Sequence, residues 1–273
     1  MDRRTVFYIS DGTGITAVGL GRSLLSQFNL VQFDRITLPY IDTVAKADQV
    51  VSQIDAQVAI DAQLPLVLYT IADPQVRQRL QNCKGYQVDV FGALLPALAQ
   101  ELGQTPCNSA GTSRALDKEE MYRFREDAVK FTLENDDGGR QRDYDRADII
   151  LTGVSRTGKT PTSLYLALQF GIRAANYPLT ADDLDETQLP KILQQYRHKL
   201  FGLTIDADLL AAIRQQRRPD TDYASLRQCH REVADAYAMF QLNRITTLDV
   251  SQLSIEEVAT RIIADAGLQR RFK

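Results

Sequence analysis

A strand followed by a glycine loop and a helix constrains this chain more than any other feature. Residues 147–167 read ADIILTGVSRTGKTPTSLYLA. The run Ile149–Thr152 is apolar and rich in β-branched residues, as expected of a strand buried on both faces. The following residues, Gly153–Thr160, match G-x-x-x-x-G-K-[ST] at every fixed position, the pattern of a phosphate-binding P-loop. The segment therefore predicts an α/β domain that binds a nucleotide.

Each fixed residue of this loop has a mechanical reason. Gly153 and Gly158 allow positive φ angles and bring successive N–H groups close to a polyphosphate. We expect Lys159 to be exposed and to supply catalytic charge at the terminal phosphate, while the Thr160 hydroxyl binds Mg²⁺. The helix from Pro161 adds its positive N-terminal end. The predicted nucleotide-binding residues are Gly153, Val154, Ser155, Arg156, Thr157, Gly158, Lys159 and Thr160. The alternative is a glycine-rich turn that binds nothing.

Length, charge and cysteine content narrow the class of protein. The 273 residues suggest two domains or one large α/β domain. A net charge of -3 provides no positive field, so we expect no non-specific binding to nucleic acid. The scattered cysteines, Cys83, Cys107 and Cys229, indicate neither a disulfide framework nor a zinc site. The apolar run at the N-terminus is too short for a signal peptide, and no stretch approaches the length of a membrane span. We therefore expect a cytoplasmic protein without membrane contact.

Strands alternate with helices along the chain, which predicts parallel sheets. The predicted strands are Val6–Ser10, Arg35–Leu38, Leu66–Ile71, Ile149–Thr152, Ala174–Leu179, Lys199–Asp206 and Ile245–Val250. Predicted helices include Thr43–Ala62, Pro74–Asn82, Gln87–Leu102, Leu116–Glu134 and one opened by the capping box Ser254–Glu257. Residues Gly103–Arg114 are small and turn-forming, which indicates a linker. We expect a doubly wound α/β domain at residues 1–105, a linker and helical connection at 106–145, and a P-loop kinase-like α/β domain at 146–273.

A second glycine loop, Asp11–Thr16, follows the first strand. Its N–H groups could bind a phosphate or an acidic group at the start of the next helix. Asp11 stands at the carboxyl end of the strand, where a carboxylate can act as a general base or bind Mg²⁺. The alternative is a structural turn in which Thr16 caps the helix.

Two acidic segments of the second half could bind a metal. Asp136 and Asp137 begin a turn whose paired carboxylates could serve a metal, although such a cluster is more often a solvated turn. The strand Lys199–Asp206 ends in an aspartate, as does a Walker B segment that holds Mg²⁺. Asp206 could instead be the N-cap of the following helix. We predict Thr160 and Asp206 as the metal ligands.

Arginines cluster after this segment, at Arg214, Arg217 and Arg218. They could form a solvated basic face. Beside a phosphate-binding loop, however, arginines can close over transferring phosphates and stabilise their charge. We predict that catalytic role for Arg217 and Arg218.

The chain resembles the bacterial phosphoenolpyruvate synthase regulatory proteins, relatives of the pyruvate, phosphate dikinase regulatory proteins. The resemblance runs from end to end of the chain. It rests on long shared sequence segments, which are far more specific than the P-loop pattern alone. These segments are VFYISDGTGIT (Val6–Thr16), SQF (Ser26–Phe28), ITLP (Ile36–Pro39), DDG (Asp136–Gly138), GVSRTGKTPTSLYLALQFGIRAANYPL (Gly153–Leu179), HKLFGLTID (His198–Asp206) and YASLRQC (Tyr223–Cys229).

The resemblance implies a bifunctional enzyme. One activity is an ADP-dependent protein kinase that inactivates phosphoenolpyruvate synthase by phosphorylating a threonine. The other is a phosphorylase that restores the target by using inorganic phosphate to remove that phosphate, with release of pyrophosphate. The resemblance also strengthens Asp11 as a catalytic residue, because the acceptor hydroxyl needs a base within hydrogen-bond reach.

Competing functions remain at this stage. The words TPTS after Lys159 and YASLRQC favour the synthase over the dikinase as target. A small-molecule P-loop kinase would need only the second half of the chain, and a nucleotide-gated module could hold the synthase without modifying it. The sequence leaves open the oligomeric state, with a homodimer as one alternative, and whether both activities share one pocket.

Overall fold

The chain folds into two compact units, Met1–Leu116 and Asp117–Lys273. The computed structural model describes residues 2–61, 63–107, 118–185, 188–219 and 221–269. Each unit contains a four-stranded sheet in which all the paired strands are parallel. Helices connect the strands. The predicted α/β class is therefore confirmed.

The first unit is built on a central strand with helices on both faces. Its strands are β1 (Asp2–Ser10), β2 (Val31–Leu38), β3 (Leu66–Thr70) and β4 (Tyr86–Asp89), in the order β2-β1-β3-β4. Its helices are α1 (Ile15–Leu25), α2 (Val44–Val58), α3 (Pro74–Leu80) and α4 (Val90–Leu102). Phe7 and Ile9 pack with α2 and α3, whereas Val6 and Tyr8 pack with α1. Alternating side chains of β1 thus enter two separate apolar layers, as in a doubly wound sheet.

The single helix predicted for Gln87–Leu102 is wrong. Tyr86–Asp89 forms strand β4, which pairs with β3 in the register Leu66 to Tyr86. The Asp89 carboxylate then caps α4 by accepting the Gly92 N–H at 2.8 Å. The pairing partner lies about 20 residues away in the chain, so the local pattern could not reveal the strand.

The start of α1 also differs from the expectation. Gly14 is the N-cap residue, with φ of 81°, and Thr16 lies inside the helix without capping it. A left-handed φ favours glycine at this point. The expected helix start at Leu116 and much of the expected linker lie outside the described residues. The described part of this helix, α5, begins at Lys118.

The second unit repeats the same architecture around the glycine loop. Its strands are β5 (Ile149–Gly153), β6 (Ala174–Pro178), β7 (Leu200–Thr204) and β8 (Thr246–Asp249), in the order β6-β5-β7-β8. Its α-helices are α5 (Lys118–Glu134), α6 (Lys159–Phe170), α7 (Ala181–Asp185), α8 (Lys191–Gln194), α9 (Ala207–Arg217), α10 (Leu226–Leu242) and α11 (Ile255–Asp265). Ile149 and Leu151 pack with α6 and α11 on one face, whereas Ile150 packs with α5 and α10 on the other. This explains the continuous apolar run of β5.

The last helix begins as predicted. The Ser254 hydroxyl accepts the Glu257 N–H, and the Glu257 carboxylate accepts the Ser254 N–H, which completes the capping box. Across the part of the chain that the structure describes, no helix combines the length and apolar character needed to cross a membrane.

Candidate phosphate-binding site

The glycine loop lies at the carboxyl end of β5, one of the two inner strands of the second sheet. Ligands of parallel α/β sheets bind at this edge. Arg156 and Gly158 adopt left-handed φ angles of 79° and 78°. Left-handed residues within a turn direct successive N–H groups to one side and so create a concavity for an anion. Gly158 is the N-cap of α6 and makes no side-chain cap, so the first turn of this helix retains N–H groups for a ligand.

Gly153 is required by a close approach between neighbouring strands. Its φ is 155°, and a Cβ atom at this position would overlap the Leu203 carbonyl oxygen of β7. Inside the loop, Thr157 is buried and its hydroxyl donates to the Val154 carbonyl at 3.1 Å. These contacts restrict the backbone path of the loop.

Lys159 is buried, which corrects the expectation of an exposed lysine. Its side chain folds back so that Nζ donates to the carbonyls of Gly153 at 3.0 Å and Val154 at 2.9 Å. Burial lowers the pKa of Lys159 to about 8. The carboxylates of Asp137 and Asp136 oppose that shift. The lysine therefore lies inside the loop as a cation with little hydration, where an incoming anion would be a strong partner.

The turn after α5 contacts the first turn of α6. The Thr160 hydroxyl donates to Asp136 Oδ1 at 2.9 Å. Asn176 on β6 donates from Nδ2 to the same carboxylate oxygen and accepts the Asp137 N–H at 2.9 Å. Asp137 itself adopts a left-handed φ of 46° and has an exposed side chain. The solvated-turn alternative thus does not describe Asp136, whose carboxylate touches the glycine loop.

Asn176 is a residue that sequence reasoning missed. It is fully buried, its N–H donates to the Asn135 carbonyl at 3.2 Å, and its carbonyl accepts from the Tyr144 hydroxyl at 3.2 Å. The signal available in the sequence was an amide in the middle of the apolar strand Ala174–Leu179. A buried amide in such a strand needs hydrogen-bond partners, and here those partners are in the acidic turn.

The arginine that contacts the loop is Arg214. Its Nη2 donates to the Ser155 carbonyl at 3.2 Å, and the side chain is fully buried. Arg217 and Arg218, which follow at the end of α9, have exposed side chains. The arginine that the structure brings to the loop is thus Arg214, for which no catalytic role was predicted. The catalytic role of Arg217 and Arg218 stays a prediction.

The remaining predicted residues have local hydrogen bonds of their own. Asp206 caps α9 by accepting the Leu209 N–H at 2.9 Å, as one of its two interpretations required. In the first unit, Asp11 accepts the Ala72 N–H at 2.7 Å and thereby ties the end of β1 to the segment after β3. The metal role of Asp206 and the catalytic role of Asp11 both stay predictions.

Oxygen donors suited to a small hard cation stand at the start of α6. Within the described ranges, no cluster of three or more His, Cys, Asp or Glu side chains is arranged to hold a metal. Mg²⁺, however, is usually held by one or two protein oxygens together with substrate phosphates and water. The Thr160 hydroxyl and the Asp136 carboxylate, which already contact each other, fit that donor set.

Comparison with known proteins extends over nearly the whole chain. A protein of Chromohalobacter salexigens is 51% identical over 272 residues, which cover 98% of each chain. A protein of Hahella chejuensis is 48% identical over 271 residues, 99% of this chain and all of the relative. Both are named "Putative phosphoenolpyruvate synthase regulatory protein". The model of the family described as kinase/pyrophosphorylase matches residues 6–263. The chain belongs to the kinase/pyrophosphorylase family.

Proposed function

We propose that this protein regulates phosphoenolpyruvate synthase by adding and removing one phosphate group. The forward activity transfers phosphate from ADP to a threonine of the synthase and inactivates it. The reverse activity uses inorganic phosphate to remove that group, forms pyrophosphate and restores the synthase. Family membership supports a phosphotransferase, and the names of the relatives support the target.

The observation that carries the proposal is the arrangement around Lys159. A loop with two residues in the left-handed conformation, a helix N-terminus and the buried ammonium group of Lys159 all lie at the end of β5. Each of these features favours a bound polyphosphate. In this proposal the phosphates of ADP lie on the loop, and Lys159 exchanges its bonds to the Gly153 and Val154 carbonyls for bonds to phosphate oxygens.

The transfer itself balances without a covalent enzyme intermediate. In the forward direction, the threonine oxygen forms a bond to the β-phosphorus of ADP while the bond from that phosphorus to the bridging oxygen breaks. AMP leaves, and the hydroxyl proton passes to a carboxylate. In the reverse direction, an oxygen of inorganic phosphate forms a bond to the phosphothreonine phosphorus while the bond from that phosphorus to the threonine oxygen breaks. The threonine oxygen takes up a proton, and the products are pyrophosphate and the free threonine. Such reactions depend on positioning and charge stabilisation, which fits a site without a Cys and His pair.

Carboxylates supply the acid and base functions and the metal site in this proposal. Asp136 lies beside Thr160, and these two residues would hold Mg²⁺, which would neutralise charge on the phosphates. Asp206 stays a further candidate ligand. Asp11 is the candidate that orients the acceptor hydroxyl or the attacking phosphate. The exposed Arg217 and Arg218 are candidates for contact with the transferring group.

Mass spectrometry of the synthase after incubation with this protein tests the proposal. ADP and ATP are supplied in parallel, and we expect a phosphothreonine with ADP that disappears when inorganic phosphate is added, with pyrophosphate appearing in equal amount. A synthase that stays unmodified in a stable complex would instead support a binding module. Phosphorylation only with ATP, or only of small molecules, would support an ordinary P-loop kinase. Modification of pyruvate, phosphate dikinase in preference to the synthase would identify the dikinase as the target.

A further inference from the structure

A buried guanidinium lies behind the glycine loop. Arg214 on α9 is fully buried, and its Nη2 donates both to the Ser155 carbonyl at 3.2 Å and to Glu232 Oε2 at 2.6 Å. Its Nη1 donates to the Tyr223 carbonyl at 3.0 Å. The guanidinium carbon is 4.1 Å from the centre of the Tyr223 ring, so that the cation also rests on an aromatic face. These four contacts to neighbouring groups leave the side chain little freedom to move.

Tyr223 contacts the same loop residue by a second route. Its hydroxyl is 3.0 Å from Ser155 Oγ, so these two hydroxyls are hydrogen-bonded. Arg214 therefore holds the backbone of Ser155, and Tyr223 holds its side chain. Both come from elements that follow β7, whereas the loop follows β5, so the contact fastens two separate parts of the second unit.

The direction of the Ser155 carbonyl matters because it sets the direction of the next N–H. The described chain contains no cis peptide bonds, and in a trans peptide the C=O and the following N–H point in opposite directions. A Ser155 carbonyl drawn towards Arg214 consequently turns the Arg156 N–H away from it. Arg156 also has the left-handed φ that shapes an anion-binding concavity. The buried guanidinium of Arg214 thereby orients the Arg156 N–H, which could donate a hydrogen bond to a phosphate, although it does not contact that N–H itself.

Stability alone does not explain an arginine here. A buried ion pair is often no better for stability than an apolar group of similar size, because both charges lose their hydration. The Arg214–Glu232 pair has side chains that are 0% and 14% exposed, so this desolvation is nearly complete. What an apolar side chain could not do is donate to the Ser155 and Tyr223 carbonyls together. The planar fork of arginine suits that task.

We infer that Arg214 and Tyr223 form a clamp on Ser155 that positions the amide groups of the loop for phosphate binding. Arg214 is a positioning residue in this scheme, since it acts through the Ser155 peptide. The inference rests on the proposed function, because it requires that the loop binds the phosphate groups of a nucleotide.

Isothermal titration calorimetry with ADP and with pyrophosphate tests the clamp. Arg214→Lys keeps the positive charge but removes the planar fork, and Tyr223→Phe keeps the ring but removes the hydroxyl. We expect the Kd for both ligands to rise by about tenfold in Arg214→Lys and about threefold in Tyr223→Phe. The rise should be equal for the two ligands, because the phosphates are what they share. Arg261→Lys, at an exposed position on α11, is the matched control and should bind as the wild type does.

Melting temperatures measured on the same samples separate positioning from general loss of structure. Wild-type affinity for both ligands in folded Arg214→Lys and Tyr223→Phe overturns the clamp. A loss confined to ADP also overturns it, because the effect would then lie at the nucleoside. Should Arg214→Lys fail to fold, Tyr223→Phe decides alone. A wild-type protein that binds neither ligand contradicts the proposed function itself and the clamp with it.

Discussion

The Thr160 hydroxyl donates a hydrogen bond of 2.9 Å to the Asp136 carboxylate, although 24 residues separate the two in the chain. One residue comes from the glycine loop pattern and the other from an acidic turn that the sequence left open between two interpretations. Their contact places a negative charge beside the hydroxyl predicted to bind Mg²⁺. The same turn is held by Asn176. Asp136 is therefore the first residue to test.

Asp136→Asn should lower the rate of threonine phosphorylation by about a hundredfold. Asparagine keeps an oxygen that can accept from Thr160, so the turn should stay in place while the charge is lost. Phosphorylation rates and melting temperatures of the variant check this expectation. Asp182→Asn, an exposed acid on α7, serves as the control. A folded Asp136→Asn with wild-type turnover would leave the residue as a turn residue alone.

Lys159→Met should abolish measurable phosphorylation, with a loss of at least about a hundredfold. Methionine retains much of the buried aliphatic stem but none of the charge. Lys159→Ala should lose activity as well, and we expect it to be less stable by about 1 kcal/mol because the replaced side chain is buried. Thermal unfolding and kinase assays separate the two effects. The exposed Lys191→Met is the control, and turnover in a folded Lys159→Met would contradict a phosphate role.

The affinity for ADP should fall as the pH rises above about 8. Burial lowers the pKa of Lys159 to about 8, so the free protein loses this charge from that pH upward. A bound phosphate stabilises the ammonium form and raises its pKa, which means that binding takes up a proton in this range. Below about pH 7 the lysine is charged with or without ligand, so its contribution is constant. Calorimetry between pH 6 and about 10 checks the trend, and a decline that persists in Lys159→Met would assign it to another group.

Arg217→Ala and Arg218→Ala should lower turnover more than nucleotide affinity. Both side chains are exposed, so their removal should disturb the fold little. A group that meets charge developing in the transition state affects kcat, whereas uniform binding affects KM. Steady-state kinetics of both variants, with Arg261→Ala as the control, measure the difference. Wild-type rates in both would identify this end of α9 as a solvated basic face.

Asp11→Asn should keep the affinity for ADP and lose most activity in at least one direction. The asparagine oxygen can still accept the Ala72 N–H, so the end of β1 should retain its structure. The lost function would be that of a base at the acceptor hydroxyl. Calorimetry with ADP and assays of phosphorylation and phosphorolysis test this separation. Full activity in both directions would return Asp11 to a purely structural role.

Local pattern was sufficient wherever short-range physics decides the structure. The apolar run of β5 and the Ser254–Glu257 capping box depend on residues adjacent in the chain, and the structure has both where the sequence placed them. A glycine turn also follows β5, although α6 begins at Lys159 rather than at the predicted Pro161. Alternation of strands and helices was likewise enough for the α/β class, because parallel strands need crossover helices. The nucleotide itself and the transferred group are still predictions from these patterns.

Tertiary structure alone decided which distant side chains meet the loop. Arg214, rather than Arg217 or Arg218, contacts Ser155. The helical period cannot make this choice, because residues three and four positions apart lie on the same side of a helix. Helix α9 ends at Arg217, and the side chains of Arg217 and Arg218 are exposed. Strand β4 appeared only through its pairing with β3, and Lys159 proved buried because its side chain folds back onto its own loop. The contact of Asp136 with Thr160 depends on how the end of α5 packs beside α6. Sequence determines the local conformations, but burial and partner depend on which surfaces the fold brings together, and no local pattern records that choice.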